Sequence, residues 1–320
     1  MHKDPGAPIL RKERWGDYCL LCLKSPAIAR EARPGQFMMV RVSDQPYPLL
    51  RRPFSIHART RETVEIFFSR VGLGTNILAQ KKTGETLDII GPLGKGFTTG
   101  GGGSKRAKEQ EPGRLAPAES LNGKKVFLVG GGRGIAPLYF LGLELKKQGA
   151  VPIIFYGGKT KSDLPLADRL KAHKFALLVS TDDGSSGFHG FASAMVEAEL
   201  NRVAGLPMAF PPLDWADAPR KSRPVRAASY ALAGFPARVF ACGPEAMMRK
   251  IAALADRYGI AAEFSLEAIM GCGIGACWGC ARKIRRGDKA EWLKVCQEGP
   301  VFKSSEVVWE EDKTNEVSDR

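Results

Sequence analysis

A group of cysteines near the C-terminus constrains this chain more than any other feature. Cys272, Cys277 and Cys280 lie in the stretch "GCGIGACWGC" with C-x4-C-x2-C spacing, and Cys296 follows later. Zinc sites usually pair their ligands as two short C-x2–4-C units. Three cysteines in one glycine-rich loop with a distant fourth are the plant-type arrangement for a [2Fe–2S] cluster. The spacing favours [2Fe–2S], with a zinc site and plain buried cysteines as the alternatives.

Two further cysteines have a similar spacing but a different interpretation. Cys19 and Cys22 form a C-x2-C inside the apolar run "DYCLLCLKS". Residues three apart in a strand point to opposite faces. We therefore predict that these two thiols share no metal and are small buried residues of a strand.

Charge and composition exclude several classes of protein. The 320 residues carry a formal net charge of +14, but the basic residues are scattered and accompany no nucleic-acid-binding signature. We therefore predict no nucleic-acid binding, and a basic face for anionic cofactors or an acidic partner. No apolar run is long enough to cross a bilayer, and the start is not a signal peptide, so we expect a cytoplasmic protein without a membrane partner. Seven cysteines, four of them close together, do not fit a secreted disulfide scaffold.

The first part of the chain, residues 1–97, has the pattern of an antiparallel β-structure. Glycine, proline and charged turns separate short apolar or β-branched runs. These runs are "DYCLLCLKSP", "GQFMMVRVS", "TVEIFFSRV" and "ETLDIIGPLG". The pattern predicts a small antiparallel barrel or sandwich. Residues 98–121, which are glycine-rich and then charged, are expected to form a flexible linker.

Strand and helix patterns alternate in residues 122–262. The run "KKVFLVGGG" is typical of a buried strand and "IAPLYFLGLELKKQG" of a helix, and similar pairs follow. Such an alternation predicts a doubly wound parallel sheet with helices on both faces. Within it, the proline-rich residues 201–228 are interpreted as an irregular insertion. Residues 263–320 are predicted to form a small C-terminal domain that holds the cysteines.

Three stretches have the residue types that bind anionic cofactors. In "LLRRPFSIHA", Arg52 suits a pyrophosphate and Ser55 can hydrogen-bond a flavin edge. In "RVGLGTNILAQ", Gly74 allows close approach of a ligand, and Thr75 is predicted to cap a helix that starts at Asn76. In "GPLGKGF", the glycines fit either a ligand-binding turn or a simple tight turn.

A fourth stretch, "FLVGGGRGIAPL", has the form of a dinucleotide phosphate loop. A buried strand runs into glycines and then into a helix, which is the context that pyrophosphate binding requires. In "VFACGPEAMM", a second strand-to-helix turn, Cys242 ends a strand where α/β sheets bind ligands; the alternative is a small buried residue. Asp182 and Asp183 could contact ribose hydroxyls or simply form a turn.

Taken together and in this order, these motifs resemble a known family. "RRPFSI", "GLGT", "GPLGKGF", "VGGGRGIAPL", "STDDGSSGFHGF", "ACGPEAMM", "LEAIMGCGIGACWGC" and "VCQEGPVF" are similar to the electron transfer subunits of NAD-dependent (type B) dihydroorotate dehydrogenases. That family belongs to the ferredoxin–NADP reductase superfamily. The resemblance runs from about residue 8 to residue 309, and the cysteine motifs are its most specific part.

The resemblance implies an FAD-binding β-barrel, an NAD-binding α/β domain and a C-terminal [2Fe–2S] domain. The residues that it assigns to FAD are Arg52, Pro53, Phe54, Ser55, Phe68, Ser69, Gly74 and Thr75. Those assigned to NAD are Gly130, Gly131, Gly132, Gly134, Cys242 and Gly243. The cluster ligands would be Cys272, Cys277, Cys280 and Cys296. Ser69 stands where the family often has a basic residue, and Arg133 interrupts the glycines where an apolar residue is usual.

The resemblance also implies a function in pyrimidine (UMP) biosynthesis. Electrons would pass from the FMN of a catalytic subunit through the cluster and FAD to NAD+, within a heterotetramer of two subunits of each kind. No catalytic base or second flavin domain is visible in the sequence, so dihydroorotate oxidation is expected on the partner. One alternative is a related FAD/[2Fe–2S] subunit that serves a hydrogenase or a ferredoxin:NADP transhydrogenase. A more distant alternative is a zinc-binding nucleic-acid module.

Overall fold

The structure is a computed structural model that describes residues 1–99, 120–206 and 234–309. Most of the predicted linker 98–121 and of the predicted insertion 201–228 lies outside these residues. Where the insertion was predicted to begin, residues 201–204 instead complete a helix that ends before Gly205, which adopts the left-handed conformation favoured at helix ends. Among the helices of the described segments, none is long and apolar enough to span a membrane.

The N-terminal part is a closed antiparallel barrel, as predicted. Its strands are β1 (His2–Trp15), β2 (Tyr18–Lys24), β3 (Phe37–Arg41), β4 (Arg52–Arg59), β5 (Thr63–Ser69) and β6 (Thr86–Leu93). They follow one another around the barrel in the order β1-β2-β5-β4-β3-β6. Two short helices accompany them, α1 (Pro26–Glu31) and α2 (Leu73–Gln80). Cys19 lies in the barrel core, and burial raises the pKa of both Cys19 and Cys22, as expected for structural thiols.

The remaining strands and helices form a parallel α/β sheet and a small hairpin. In chain order they are β7 (Lys125–Gly131), α3 (Ile135–Lys147), β8 (Val151–Gly158), α4 (Ala167–Ala172), β9 (Ala176–Thr181), β10 (Phe188–His189), α5 (Ala192–Ala204), β11 (Arg238–Cys242), α6 (Glu245–Arg257), β12 (Ala261–Ser265), β13 (Ala281–Arg286), β14 (Lys289–Lys294), α7 (Val295–Glu298) and β15 (Val301–Lys303). The sheet order is β10-β9-β8-β7-β11-β12-β15. All neighbouring pairs in this sheet are parallel except β12 with β15, while β13 and β14 pair separately as an antiparallel hairpin.

One hydrophobic core connects all three parts of the molecule. It contains Met39 from the barrel, Phe127 and Phe155 from the sheet, and Cys280 and Cys296 from the C-terminal part. Because these residues are buried together, the C-terminal part packs against both other parts.

The barrel and the sheet also meet along β4 and α3. The buried ring of His57 on β4 stacks on Tyr139 of α3 with 4.4 Å between centroids, and its Nδ1 lies 3.1 Å from the carbonyl oxygen of Ala136. Nearby, the buried carboxylate of Glu65 on β5 accepts a hydrogen bond of 2.6 Å from Arg169 on α4. The His57 contacts fix the first turns of α3 against β4, and the ion pair fixes α4 against β5.

Candidate functional site

Arg52 lies against the beginning of helix α2. A methyl group placed on Gly74 would lie 3.0 Å from Arg52 Nε, so the guanidinium packs closely against this glycine. Arg52 Nη1 donates to the carbonyl oxygen of Leu50 at 2.6 Å. The guanidinium and the N–H groups of the helix terminus thus lie together, which is an arrangement suited to a phosphate group.

Thr75 has a different role from the predicted one. Helix α2 begins at Leu73, so Thr75 lies in its first turn and does not precede the helix. The Thr75 hydroxyl accepts hydrogen bonds from the N–H groups of Val71 at 2.9 Å and Gly72 at 3.2 Å. The predicted start at Asn76 is therefore wrong. The Thr75 side chain bonds the N–H groups that precede it, not those that follow, and the helix begins three residues earlier.

The other predicted flavin residues divide into two sets. Phe54 and Phe68 are buried in the barrel core with 5.4 Å between ring centroids. Pro53 and Ser55 are partly exposed on the same strand as Arg52. Arg52 and Ser55 are both partly exposed at the start of β4, but as residues three apart in a strand they point to opposite faces.

The glycine-rich stretch Gly130–Gly134, here called the nucleotide loop, is tightly packed. A methyl group on Gly134 would lie 2.0 Å from the carbonyl oxygen of Cys242, and one on Gly243 would lie 2.9 Å from the nitrogen of Gly131. Strands β7 and β11 are neighbours, with Gly130 opposite Cys242. The two predicted nucleotide turns therefore contact each other at the carboxyl edge of the sheet.

A cleft of about 560 Å³ opens at this edge, between the sheet and the barrel. It brings together four of the predicted cofactor residues, which are Ser69, Gly131, Gly132 and Gly243. Arg133 Nη1 lies 3.5 Å from Ser69 Oγ across the cleft. The cleft therefore adjoins both the barrel strand that carries Ser69 and the nucleotide loop.

Tyr18 also lines the cleft, although sequence reasoning did not select it. Its hydroxyl donates to Asp163 Oδ1 at 2.9 Å, and burial, followed by the Asp163 carboxylate, raises its pKa far above the usual range. A tyrosine at the start of a predicted strand gives no sequence signal for such a position. Asp182 lines the cleft as well, whereas Asp183 accepts hydrogen bonds from Ser185 in its own turn.

Cys242 is a buried thiol beside the nucleotide loop. Burial raises its pKa to about 12, with a smaller contribution from the Glu267 carboxylate. A thiol with such a pKa is uncharged at neutral pH, so it is neither a nucleophile nor a metal ligand there. It ends β11 beside the nucleotide loop, and its assignment to the NAD site stays a prediction.

The stretch Gly271–Cys280, here called the cysteine loop, arranges its sulfurs in pairs. The Cys277 thiol is among the groups that lower the pKa of Cys272, and after burial the Cys280 thiol raises the pKa of Cys296, so the members of each pair lie close together. Backbone N–H groups also point at sulfur, since Ala276 donates to Cys272 Sγ at 3.3 Å. Desolvation opposes ionisation of Cys272, but these donors outweigh it and lower its pKa to about 6.

This pairing of cysteines fits a [2Fe–2S] cluster better than a zinc site. Within residues 1–99, 120–206 and 234–309, no three Cys, His, Asp or Glu side chains converge on a position for one metal ion. A structural zinc needs four ligands around one ion, whereas a [2Fe–2S] cluster has two protein ligands on each iron. Two adjacent cysteine pairs with N–H groups aimed at sulfur therefore fit the binuclear cluster.

The cysteine loop packs directly on the barrel. Gly273 has a positive φ of 73°, and a methyl group on it would lie 2.4 Å from Met39 Cγ. Met39 on β3 is paired in register with Pro53 on β4, the residue after Arg52. One strand therefore separates the cysteine loop from the predicted flavin residues. Sequence reasoning missed Met39, because an apolar residue in a barrel strand carries no functional signal.

Comparisons with known proteins identify the family of this chain. Residues 267–308 match the family model described as the iron–sulfur cluster binding domain of dihydroorotate dehydrogenase B. A protein of Desulforamulus reducens named "Dihydroorotate dehydrogenase B (NAD(+)), electron transfer subunit" is 34% identical over 288 residues, which cover 89% of this chain and 90% of that protein. A protein of Geobacillus kaustophilus with the same name is 34% identical over 90% of this chain and 91% of its own length.

Solved structures show the same architecture. The structure of an NADH-dependent reduced ferredoxin-NADP oxidoreductase, studied for flavin-based electron bifurcation, covers 97% of this chain and 92% of its own, with a TM-score of 0.69 and 26% identity. A ferredoxin NADP+ reductase from Neisseria gonorrhoeae with bound FAD and NADP shares the fold, with a TM-score of 0.52 and 17% identity over 80% of this chain and 90% of its own.

Proposed function

This chain belongs to the family of dihydroorotate dehydrogenase B (NAD(+)) electron transfer subunits, and we propose that it carries electrons from a catalytic partner to NAD+. The partner oxidises dihydroorotate at its own FMN in pyrimidine biosynthesis. This chain contributes a [2Fe–2S] cluster, FAD and an NAD site. The cysteine usage suits a reducing compartment, so we place the protein in the cytoplasm.

The contact between Gly273 and Met39 is the observation that carries the proposal. The cysteine loop touches β3, β3 pairs with the strand that bears Arg52 and Pro53, and the cleft opens beyond the barrel. The residues proposed for the cluster, the flavin and the nucleotide therefore follow one another through the molecule. This order is the one that electron transfer to NAD+ requires, because a flavin exchanges single electrons with an iron–sulfur centre and a hydride with nicotinamide.

Each set of residues has a defined task in this function. Cys272, Cys277, Cys280 and Cys296 hold the cluster, and the N–H groups of Ile274 and Ala276 orient and stabilise the sulfur of Cys272. Arg52 and the first turn of α2 bind the FAD pyrophosphate, while Ser55 and Ser69 face the flavin. Gly131, Gly132 and Gly243 let the backbone approach NAD, and Arg133 lies where it can pair with a nucleotide phosphate.

The partner would dock on the face around the cysteine loop. Large apolar side chains are exposed there, with Ile274 at 52%, Trp278 at 55% and Trp292 at 56%. Arg282, Lys283, Arg285 and Arg286 lie on the neighbouring strand β13. An apolar centre with a basic rim suits a partner whose surface is apolar and acidic. We infer an assembly of two FMN-containing catalytic subunits and two of these chains.

The test is reconstitution with the catalytic subunit. The purified chain should contain flavin and about two iron atoms per chain, with the absorption of a [2Fe–2S] cluster. Mixed with the catalytic subunit, it should form NADH when dihydroorotate is added. A colourless protein containing zinc would contradict the cluster assignment, and a flavin- and iron-loaded protein that forms no NADH would contradict the proposed partner.

The likeness to the bifurcating NADH-dependent oxidoreductase favours a second candidate. In that function the same cofactors would connect NAD(P) with ferredoxin or a hydrogenase partner. Reduced ferredoxin and dihydroorotate, offered separately as electron donors to the appropriate complexes, distinguish the two functions.

A further inference from the structure

Lys294 is the charged side chain that contacts the cysteine loop from the hairpin. It is the last residue of β14, two positions before Cys296, and is partly buried. Its Nζ donates to the carbonyl oxygen of Gly275 at 2.8 Å. The same ammonium lies 4.6 Å from the ring centroid of Trp278. One cation therefore binds the loop at two points, on either side of Cys277.

The carbonyl that Lys294 binds belongs to a peptide unit that also faces a cysteine sulfur. The oxygen of Gly275 and the N–H of Ala276 are the two ends of one peptide group. That N–H donates to Cys272 Sγ at 3.3 Å. A positive charge on the oxygen polarises the peptide and strengthens the hydrogen bond at its other end. Lys294 thus acts on the sulfur through a single peptide group.

Trp278 keeps the ammonium in this position. Its φ of 56° is in the left-handed region, which is unusual for a residue other than glycine. This backbone conformation, held by a hydrogen bond of 3.0 Å from the N–H of Ala281 to the Trp278 carbonyl, accompanies the ring contact with Lys294. The indole excludes water from one side of the cation and adds a cation–π attraction.

The charge of Lys294 is not paired with a carboxylate in the parts of the chain that the structure describes, where its contacts are Gly275 and Trp278. An unpaired cation near a redox centre favours the more negative, reduced state of that centre. Hydrogen bonds to the cluster sulfurs act in the same direction.

We propose that Lys294 is a positioning residue that raises the reduction potential of the cluster, through the Gly275–Ala276 peptide and through its own charge. The proposal rests on the proposed function, since it assumes the cluster on the four cysteines. The step that it affects is the entry of one electron into the cluster.

The experiment is a redox titration of the complete, iron-loaded chain, followed by electron paramagnetic resonance of the reduced cluster. Lys294→Met, which keeps the apolar stem but removes the charge, should lower the equilibrium constant for reduction on the order of tenfold, equivalent to about 59 mV for one electron. Lys294→Arg should keep a potential near that of the unsubstituted chain. Lys289→Met is the matched control, because it removes the same charge at the exposed end of the same hairpin.

Equal potentials for the unsubstituted chain and Lys294→Met, or an equal shift in Lys289→Met, would overturn the proposal. If Lys294→Met binds too little iron to titrate, the reduction potentials of Lys294→Gln and Lys294→Arg are compared instead. A lowered potential in the Gln variant alone supports the inference, and equal potentials in the two variants refute it. The titration uses neither dihydroorotate nor NAD. An unchanged potential in an iron-loaded Lys294→Met variant therefore contradicts only the role of Lys294. An unsubstituted chain that binds no iron would instead contradict the proposed function.

Discussion

The nucleotide loop and the cysteine loop are both rich in glycine but differ in what their glycines contact. In the nucleotide loop, Gly134 is required because the carbonyl of Cys242 occupies the space of a side chain. In the cysteine loop, Gly273 and Gly275 adopt positive φ values of 73° and 87°, which turn backbone N–H groups toward sulfur. Close packing against backbone is thus the reason for glycine at Gly134, whereas at Gly273 and Gly275 a positive φ adds to close contacts with side chains.

The cysteines next to the two loops differ accordingly. Burial raises the pKa of Cys242 to about 12, whereas donors around Cys272 lower its pKa to about 6. The same type of side chain is thus a neutral thiol in one environment and, in the other, a thiolate at a proposed metal ligand. The surroundings of a cysteine, more than its neighbours in sequence, decide its chemistry.

The largest expected effect concerns the ligands themselves. Cys277→Ser should abolish the cluster absorption and lose the iron, because one iron then lacks a thiolate ligand. FAD and NADH oxidation with an artificial acceptor should remain, since the flavin residues lie on the barrel. Iron analysis and visible spectra measure this. Cys22→Ser, in the barrel, is the control and should retain all iron; retention of iron by Cys277→Ser would show that the ligand assignment is wrong.

Thiol reactivity tests the contrast between Cys272 and Cys242 directly. After removal of iron, Cys272 should react with iodoacetamide at pH 7 at least about a thousandfold faster than Cys242, because far more of it is thiolate. Peptide mass spectrometry over a time course measures both rates. Comparable rates at the two positions would mean that the two environments do not differ as described.

Gly134→Ala tests whether packing is the reason for glycine in the nucleotide loop. Its methyl group would lie 2.0 Å from a backbone oxygen that cannot move freely, so the free energy of unfolding should fall by about 3 kcal/mol and NADH binding should weaken. Gly132→Ala is the matched variant, since that position has a positive φ but open space; it should cost only about 1 kcal/mol. Urea unfolding measures the loss of unfolding free energy in both variants. An equal loss in the two would contradict the steric explanation.

The smallest effect expected is a pH dependence of the unfolding free energy that arises from His57, whose ring packs on the helix after the nucleotide loop. Burial lowers the pKa of His57 to about 3, against an ordinary value of 6.5. Below pH 6.5 the unfolded chain therefore binds a proton that the folded chain does not, and folding loses up to about 1.4 kcal/mol per pH unit.

His57→Gln should remove this contribution, so the difference in unfolding free energy between the variant and the unsubstituted chain should change between pH 7 and pH 5. The exposed His189→Gln variant should leave the slope unchanged. A slope that is the same with and without His57 would show that this histidine is not held neutral by burial.

The sequence predicted the local features of this molecule better than its long-range contacts. The barrel, the parallel sheet and the cysteine loop each leave a clear pattern in neighbouring residues. Strand β15 was missed because its three residues are too few to show a period, and strand β12 was missed because the predicted domain boundary between residues 262 and 263 divides it. The positions of Tyr18 and Met39 depend on packing between distant segments, so no local pattern could identify them.

The pairing of β15 with β12 has a consequence for any attempt to separate the parts of this protein. After the last cysteine, the chain returns to add an antiparallel strand to the edge of the nucleotide-binding sheet. The iron-binding segment is therefore inserted between two strands of one sheet and is not a detachable appendage. A truncation after β12 would also remove β15 and expose the edge of β12. Deleting or transplanting the iron-binding segment as an independent module would therefore destabilise the nucleotide-binding sheet.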